Sequence, residues 1–377
     1  MAARSRSRNR WSLLGACILI VAIGTGKAQA APGSLDPSFS ADGRASVDFG
    51  TSYAGAEALA IGQDGSILLV GGVDQGGPDE QLAMARFTAG GEPDVTFGGG
   101  DGAELFPYVA YAYGVALQGD GKIVVVAPDF VSPGNSNWTI ARFDPASLPD
   151  PSFGGGDGIV TTDFGLEAAG PADVAIQPDG NIVVAGSKRV MGDPSRIVVA
   201  RYTTDGSLDA SFGVGGIATA RVGVSATASS LALAANGKIV VAGRTQLRGG
   251  GQDFCVARFR PDGTLDVRFS GDGKVRTDFK HEEDSARGVA IQGNGKIVVG
   301  GYAYNNGWPD FALARYWING RLDLSFGRFG LRRTDFGTGR DDFANDVMLQ
   351  ADGRIVAAGL VHQSSGYAAG VARYLRV

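Results

Sequence analysis

Histidine, methionine and tryptophan are scarce in this chain of 377 residues, occurring two, four and four times. Cysteine occurs twice, and Cys17 lies within the first thirty residues. If those are removed, Cys255 stands alone, no intrachain disulfide can form, and stability must come from packing. His281 and His362 fall in successive segments of the chain, so spacing gives a shared metal site no support. There is no serine nucleophile elbow, no phosphate loop and no HExxH pair. A helical period is missing throughout, and no apolar run reaches the roughly 18 to 20 residues of a membrane span.

The N-terminus does carry a signal. "MAARSRSRNRW" is basic, "SLLGACILIVAIGTG" apolar, and "AQA" at 28–30 offers small residues for cleavage. The expectation is an export signal over 1–30, cut after Ala30, with the chain secreted, periplasmic or at the cell surface. "LGAC" at Cys17 looks like a lipidation box, but the longer apolar run follows it. The first thirty residues hold five basic residues and no acidic one, so the remainder has 29 Lys and Arg against 39 Asp and Glu, a net charge of −10. That sign argues against nucleic acid and anionic membranes as partners.

What is abundant is glycine, 60 residues, together with β-branched residues in short runs, the composition of an all-β protein rich in tight turns. The runs repeat. The phenylalanine of "LDxSF" recurs at Phe39, Phe97, Phe153, Phe212, Phe269 and Phe326, spaced by 56 to 59 residues. The arginine of "ARF/ARY" recurs at Arg86, Arg142, Arg201, Arg258, Arg315 and Arg373, and a turn glycine at Gly65, Gly121, Gly180, Gly237, Gly295 and Gly353. Each unit contains four strand-like runs, A to D, with an "NG" or "DG" hairpin signal between A and B. Four strands per unit of this length predict a six-bladed β-propeller of four-stranded antiparallel blades, one domain over 31–377. The last unit ends on its C run, while the chain opens on a spare D run. Residues 43–49 are therefore expected to pair beside the C-terminal blade and close the ring.

Taken together, "VAIQPDGNIVVAG", "DFALARY" and "LDLSFG" resemble the delta-60 repeat family of bacterial secreted and surface proteins, over about residues 35–374, and more loosely the NHL-type propeller repeat. The resemblance implies a propeller-like repeat protein with no established enzymatic activity.

A polar residue repeated in every blade serves every blade alike. The "LDxSF" aspartates (Asp36, Asp94, Asp150, Asp209, Asp266, Asp323) and the "ARF/Y" arginines are accordingly read as structural pairs or turn closures. "GGGDG" and "SGDGK" lack the ligand spacing of a calcium loop. Function is sought on the face carrying the B–C and D–A loops, whose sequences vary. There the candidate ligand-binding residues are Tyr53, Glu57, Tyr108, Tyr111, Trp138, His281, Glu282, Tyr304, Trp308, Asp341 and His362. Aromatic faces beside carboxylates and amides suit a polar ligand, a glycan, a peptide or a surface partner, bound by a monomeric non-catalytic protein with no cofactor. The alternative is a lactonase- or lyase-like enzyme holding a divalent metal at the channel mouth, with Glu57, Asp173, Asn345, Asp346 and His281 as candidates. One equivalent position at the A-strand entries reads Glu57, Tyr113, Ala172, Ser229, Arg287 and Asn345, with no obvious ligand set.

Overall fold

The computed structural model describes residues 36–375, apart from 37, 42, 52, 75–80, 133–134, 166, 191–192, 281–282, 338–339 and 364–365. The expected export signal and the residues His281 and Glu282 lie outside the described residues.

Six antiparallel meanders follow one another. Blade 1 comprises β1 (Tyr53–Ile61), β2 (Ile67–Asp74), β3 (Gln81–Phe87) and β4 (Ala103–Ala110). Blade 2 has β5 (Gly114–Leu117), β6 (Ile123–Ser132), β7 (Asn135–Phe143) and β8 (Ile159–Thr162), and blade 3 has β9 (Glu167–Ile176), β10 (Ile182–Val190), β11 (Arg196–Tyr202) and β12 (Ile217–Ala220). Blade 4 runs through β13 (Ser225–Leu233), β14 (Ile239–Gln246), β15 (Gln252–Phe259) and β16 (Lys274–Thr277). Blade 5 is β17 (Asp284–Ile291), β18 (Ile297–Asn305), β19 (Trp308–Tyr316) and β20 (Leu331–Thr334). Blade 6 has three strands, β21 (Asp342–Leu349), β22 (Ile355–Gln363) and β23 (Gly366–Tyr374). A single parallel bridge, Ser136 to Ala168, links blades 2 and 3.

The A–B turns form where the glycine supplies φ > 0. Gly65, Gly121, Gly180, Gly237, Gly295 and Gly353 lie at φ +75° to +87°, and each donates its N–H three residues back, as from Gly295 to the Gln292 carbonyl at 2.7 Å. The apolar faces of neighbouring blades close on each other. Five buried clusters result, one between each consecutive pair of blades, such as Val240, Phe254, Phe269 and Val299 between blades 4 and 5. Burial of each such side chain contributes about 1.5–3 kcal/mol.

The repeated arginines and aspartates are structural, as their repetition implied. Arg86, Arg142, Arg201, Arg258 and Arg315 place Nε 2.7–2.9 Å from an oxygen of Asp94, Asp150, Asp209, Asp266 and Asp323. Each guanidinium also lies 4.5–4.7 Å from the ring centroid of the "LDxSF" phenylalanine. Arg201 Nη1 reaches into the next blade, donating to the Pro261 carbonyl at 2.6 Å, so the same residue stitches successive blades. The aspartate's other oxygen accepts from the backbone two residues on, as expected of a turn-closing residue. Burial opposes ionisation of Asp266, yet Lys238 and Arg258 hold its carboxyl at about 2. Cys255 is free and buried, and burial pushes its thiol up to about 12, which makes it inert.

The N-terminal phrase departs from a simple closing strand. Residues 44–49 carry no strand assignment, and β23 pairs with β22 alone among the described residues. Phe39 nevertheless packs on the turn after β3 of blade 1. Its ring lies 3.0 Å from where a Cβ on Gly91 would stand, and Ser40 N–H donates to the Gly90 carbonyl at 2.7 Å. Phe153 meets Gly206, and Phe269 meets Gly320, in the same way.

Candidate functional site at the channel mouth

All six blades contribute to one cavity of about 230 Å³. Its wall is built by a device in the A strands. In β1, β9, β13, β17 and β21 the ladder skips one residue, leaving Glu57, Ala172, Ser229, Arg287 and Asn345 without a cross-strand partner. Such bulges re-aim side chains and bend the strand. Each of these five residues lines the cavity, as does Tyr113, which precedes β5. The position whose composition varied from blade to blade is thus the bulge.

The bulge has a legible cause. Opposite it, β2, β10, β14, β18 and β22 carry Gly71, Gly186, Gly243, Gly301 and Gly359, where a Cβ would come within 1.9–2.3 Å of a backbone oxygen of the bulged strand. Only glycine admits that approach. In β6 the equivalent residue is Ala127, and the β5–β6 ladder is regular.

Two carboxylates stand just beyond the bulges. Asp173 accepts from Val174 N–H and, in the next blade, Leu231 N–H, both at 2.8 Å. Asp346 accepts from Val347 N–H at 2.7 Å, and its Oδ1 occupies space that a side chain on Gly288 would need. Burial raises Asp173 to about 6 and Asp346 to about 7, the latter helped by the Asp173 charge. Glu57, Asp173, Asp346 and Arg287 all line this one cavity.

Arg287 connects the cavity to an aromatic patch, since its guanidinium lies 5.5 Å from the Tyr302 ring centroid. Tyr302 packs edge-on against Phe343 at 4.9 Å and stands 6.2 Å from Tyr304. Nearby, His362 and Tyr367 are in ring contact at 5.0 Å, and the Tyr367 hydroxyl donates to Asp341 Oδ2 at 3.1 Å. Burial raises the Tyr304 phenol, and the Asp341 and Glu283 charges add to that.

Of the residues singled out by sequence, Glu57 lines the cavity, while Tyr304, Asp341 and His362 fall in the blade 5–6 patch. Tyr111 meets Tyr113 edge-on at 4.8 Å, with their hydroxyls hydrogen-bonded, beside the cavity that Tyr113 lines. Trp308 is exposed on the β18–β19 hairpin, and Tyr108 is exposed on β4. Tyr53 begins β1, half-buried opposite Asp74. Trp138 is a correction: it sits inside β7, fully buried against Phe164, because β7 begins at Asn135 and turns this residue inward. It presents nothing to a ligand. Asp173, Asn345 and Asp346, named only for the metal-enzyme alternative, do line the cavity. Among the described residues, however, the groups of three carboxylates that approach one another lie between blades and not in the channel.

With this geometry in hand, comparison with known proteins gives one decisive match. The model of a family described as "Domain of unknown function (DUF5122) beta-propeller" matches six times, at residues 62–97, 118–153, 177–212, 234–269, 292–326 and 350–376. The chain belongs to this family. Six β-propeller repeats of this type agree with a delta-60-like repeat. No curated protein matches the chain. Among solved structures, a protein of unknown function from Dyadobacter fermentans DSM 18053 is similar at 13% identity and a TM-score of 0.50, covering 85% of this chain and 94% of its own. The polysaccharide lyase Uly1 matches at 13% identity and a TM-score of 0.46 (87% and 84% covered), and Chaetomium thermophilum Sqt1 at 12% and 0.42 (81% and 80%). At these identities the likeness concerns the fold alone.

Proposed function

We propose that this DUF5122 propeller is an exported, non-catalytic binding protein that takes one end of a polar ligand, a glycan or a peptide, at its channel mouth. The observation that carries this reading is the cavity itself: its lining includes three carboxyl groups and one guanidinium, and Arg287 and Tyr302 connect it with the aromatic patch of blades 5 and 6. Its 230 Å³ lies below the roughly 300–1,000 Å³ that encloses a whole drug-sized ligand. One amine-bearing sugar or side chain fits such a space, while the next unit of the polymer meets Tyr304 and Tyr367. The carboxyl groups disfavour anions and favour amines and hydroxyls, the more so as pH rises through the Asp173 and Asp346 range. The test is calorimetric titration with cationic, neutral and anionic oligosaccharides and with basic and acidic peptides. A cationic ligand should bind, and Asp346→Asn with Tyr304→Ala should abolish binding. Preference for the anionic set, or full binding by the double variant, would refute the reading.

A second reading rests on Asp173 and Asp346 titrating near 6 and 7, the range in which a carboxyl serves as general acid or base. Under it the mouth is a lactonase- or lyase-like catalytic site, and Asp173→Asn abolishes turnover.

We also propose that residues 43–49 complete blade 6. Three inter-blade pairs join a D strand to the following C strand: Thr162 to Tyr202 at 2.6 Å, Thr277 to Tyr316 at 2.6 Å and Thr334 to Tyr374 at 2.9 Å. Phe106 and Phe143 occupy the same two positions as an aromatic pair at 4.5 Å. At blade 1 those positions hold Val47 and Phe87, an apolar pair like that of Phe106 and Phe143, and so compatible with a D strand docked from the N-terminus. A chain beginning at residue 51 should unfold at markedly lower urea than one beginning at 31, and equal midpoints would sink the idea.

A further inference from the structure

At the boundary of blades 4 and 5, three carboxylates outside the channel site meet. Asp253 stands near the start of β15, Asp278 follows β16 and Asp284 opens β17, each offering an oxygen within 4.8 Å of the other two. Asp310, Asp335 and Asp342 repeat the arrangement between blades 5 and 6. The corresponding residues at earlier boundaries are Gln81, Pro107 and Ala110, then Asn137, Asp163 and Ala169, then Arg196, Arg221 and Ala226. A blade boundary therefore forms without an acidic triad.

Hydrogen bonding separates the two triads. Asp342 uses both oxygens, accepting from Phe336 N–H at 2.9 Å on Oδ2 and from His362 N–H at 3.1 Å on Oδ1. Asp284 accepts from the equivalent Phe279 N–H on Oδ2 at 2.7 Å. The second donor is missing: His362 N–H is shared between the Asp341 carbonyl and Asp342 Oδ1, both at 3.1 Å, whereas the corresponding Tyr304 N–H bonds the Glu283 carbonyl at 3.0 Å and does not reach Asp284 Oδ1. Asp284 Oδ1 is left without a hydrogen-bond donor in a residue only 1% exposed. A buried carboxylate oxygen beside two further carboxylates calls for a proton or a cation. The guanidiniums acting on the cluster are Arg276, with Nη1 3.2 Å from Asp253 Oδ2, and Arg333 on β20. Arg276 is 47% exposed and free to turn outward.

We propose that Asp253, Asp278 and Asp284 hold a hard divalent cation, calcium by preference, between blades 4 and 5. Calcium tolerates irregular carboxylate geometry and completes its shell with water, whereas magnesium demands a near-octahedral cage. The ion satisfies Asp284 Oδ1, displaces Arg276 toward solvent, and ties β15 and β16 to β17. This inference does not depend on the channel reading, since none of the three residues lines the cavity.

The experiment is a titration of calcium chloride into the metal-stripped chain from residue 31, followed by calorimetry and thermal unfolding. One site is expected, with Tm raised by roughly 3 °C or more at calcium a hundred times Kd. Asp284→Asn should lose both heat and shift while starting from an unchanged or higher Tm without calcium. Asp278→Asn, at a half-buried position, should weaken binding by roughly tenfold or more, and it is the variant to read if Asp284→Asn does not fold. Asp342→Asn should leave the response intact. No heat and no shift up to about 10 mM calcium would overturn the proposal. So would a full response in Asp278→Asn or Asp284→Asn, or one lost only in Asp342→Asn.

Discussion

Replacing Asp346 by asparagine should stabilise the fold at alkaline pH and leave it nearly unchanged at acid pH. Asp346 has a folded pKa of about 7, raised from 3.8 chiefly by burial and then by the Asp173 charge. The native state thus holds a proton that the unfolded chain has already released. Its favourable contribution is complete below about pH 4 and is lost as pH rises through 7. Three pH units correspond to about 4 kcal/mol, and because the residue borders an open channel a discounted effect of about 2 kcal/mol is the working figure. Asparagine keeps an oxygen for Val347 N–H, now 2.7 Å from Asp346 Oδ1, and carries no charge to desolvate. Urea unfolding of both proteins at pH 4.5 and pH 8 gives the comparison. Wild type should lose about 2 kcal/mol more than the variant between the two conditions. Parallel pH dependences, or a variant weaker than wild type at pH 8, would refute the reasoning.

Other substitutions probe the frame. Gly301→Ala places a Cβ 2.0 Å from the Ser285 carbonyl oxygen, so the β17 bulge must rearrange, and a loss of about 2–4 kcal/mol in chemical denaturation is expected. Ala127→Gly, in blade 2, whose β5–β6 ladder carries no bulge, should cost only about 1 kcal/mol by the same assay. Arg258→Met leaves Asp266 buried with Lys238 as its near partner at 2.8 Å, and should destabilise by about 3 kcal/mol at neutral pH and by less at acid pH, where the carboxyl is protonated. Tyr316→Phe removes the hydroxyl that bonds Thr277 at 2.6 Å between blades 4 and 5, for a loss of about 1 kcal/mol.

The frame was legible because it repeats. Six arginines, six aspartates and six turn glycines at one period disclose the blades, and the pairing of Arg315 with Asp323 follows from asking what a residue serves when every blade has it. The loops were harder. Trp138 looked like a loop aromatic beside "SN", but β6 and β7 extend far along their hairpin, and hairpin length has no local signal comparable to "NG". Asp253, Asp278 and Asp284 are separated by up to 31 positions in sequence, and only the packing of β17 against blade 4 joins them. The bulge was within reach. Glycine at the fifth position of five B strands, with Ala127 in the sixth, distinguishes the blades that skip a residue from the one that does not, and it marks Arg287 and Asn345 by register alone.

That register explains why the cavity wall is so mixed while the rest of each blade is uniform. A residue in a ladder must suit its cross-strand neighbour and the sheet packed on it, as Val298 does between Ala290 and Arg315. The bulged residue has no cross-strand partner, and its side chain points into a space bounded by five other blades. The fold therefore accepts Glu57, Ala172, Ser229, Arg287 or Asn345 there without altering the strands around them. Chemistry at these positions is set free from architecture, and it is there that a ligand's demands can be met at least cost to the ring. Asp173 and Asp346 illustrate the limit of that freedom. One position further along, each stands against a glycine of the preceding blade: a Cβ on Gly288 would lie 2.4 Å from Asp346 Oδ1, and one on Gly114 would lie 3.1 Å from Asp173 Cα. A carboxylate introduced at Ser230 should accordingly clash with Asp173 and misfold, whereas one introduced at Ser229 should be tolerated and add to the acidity of the mouth.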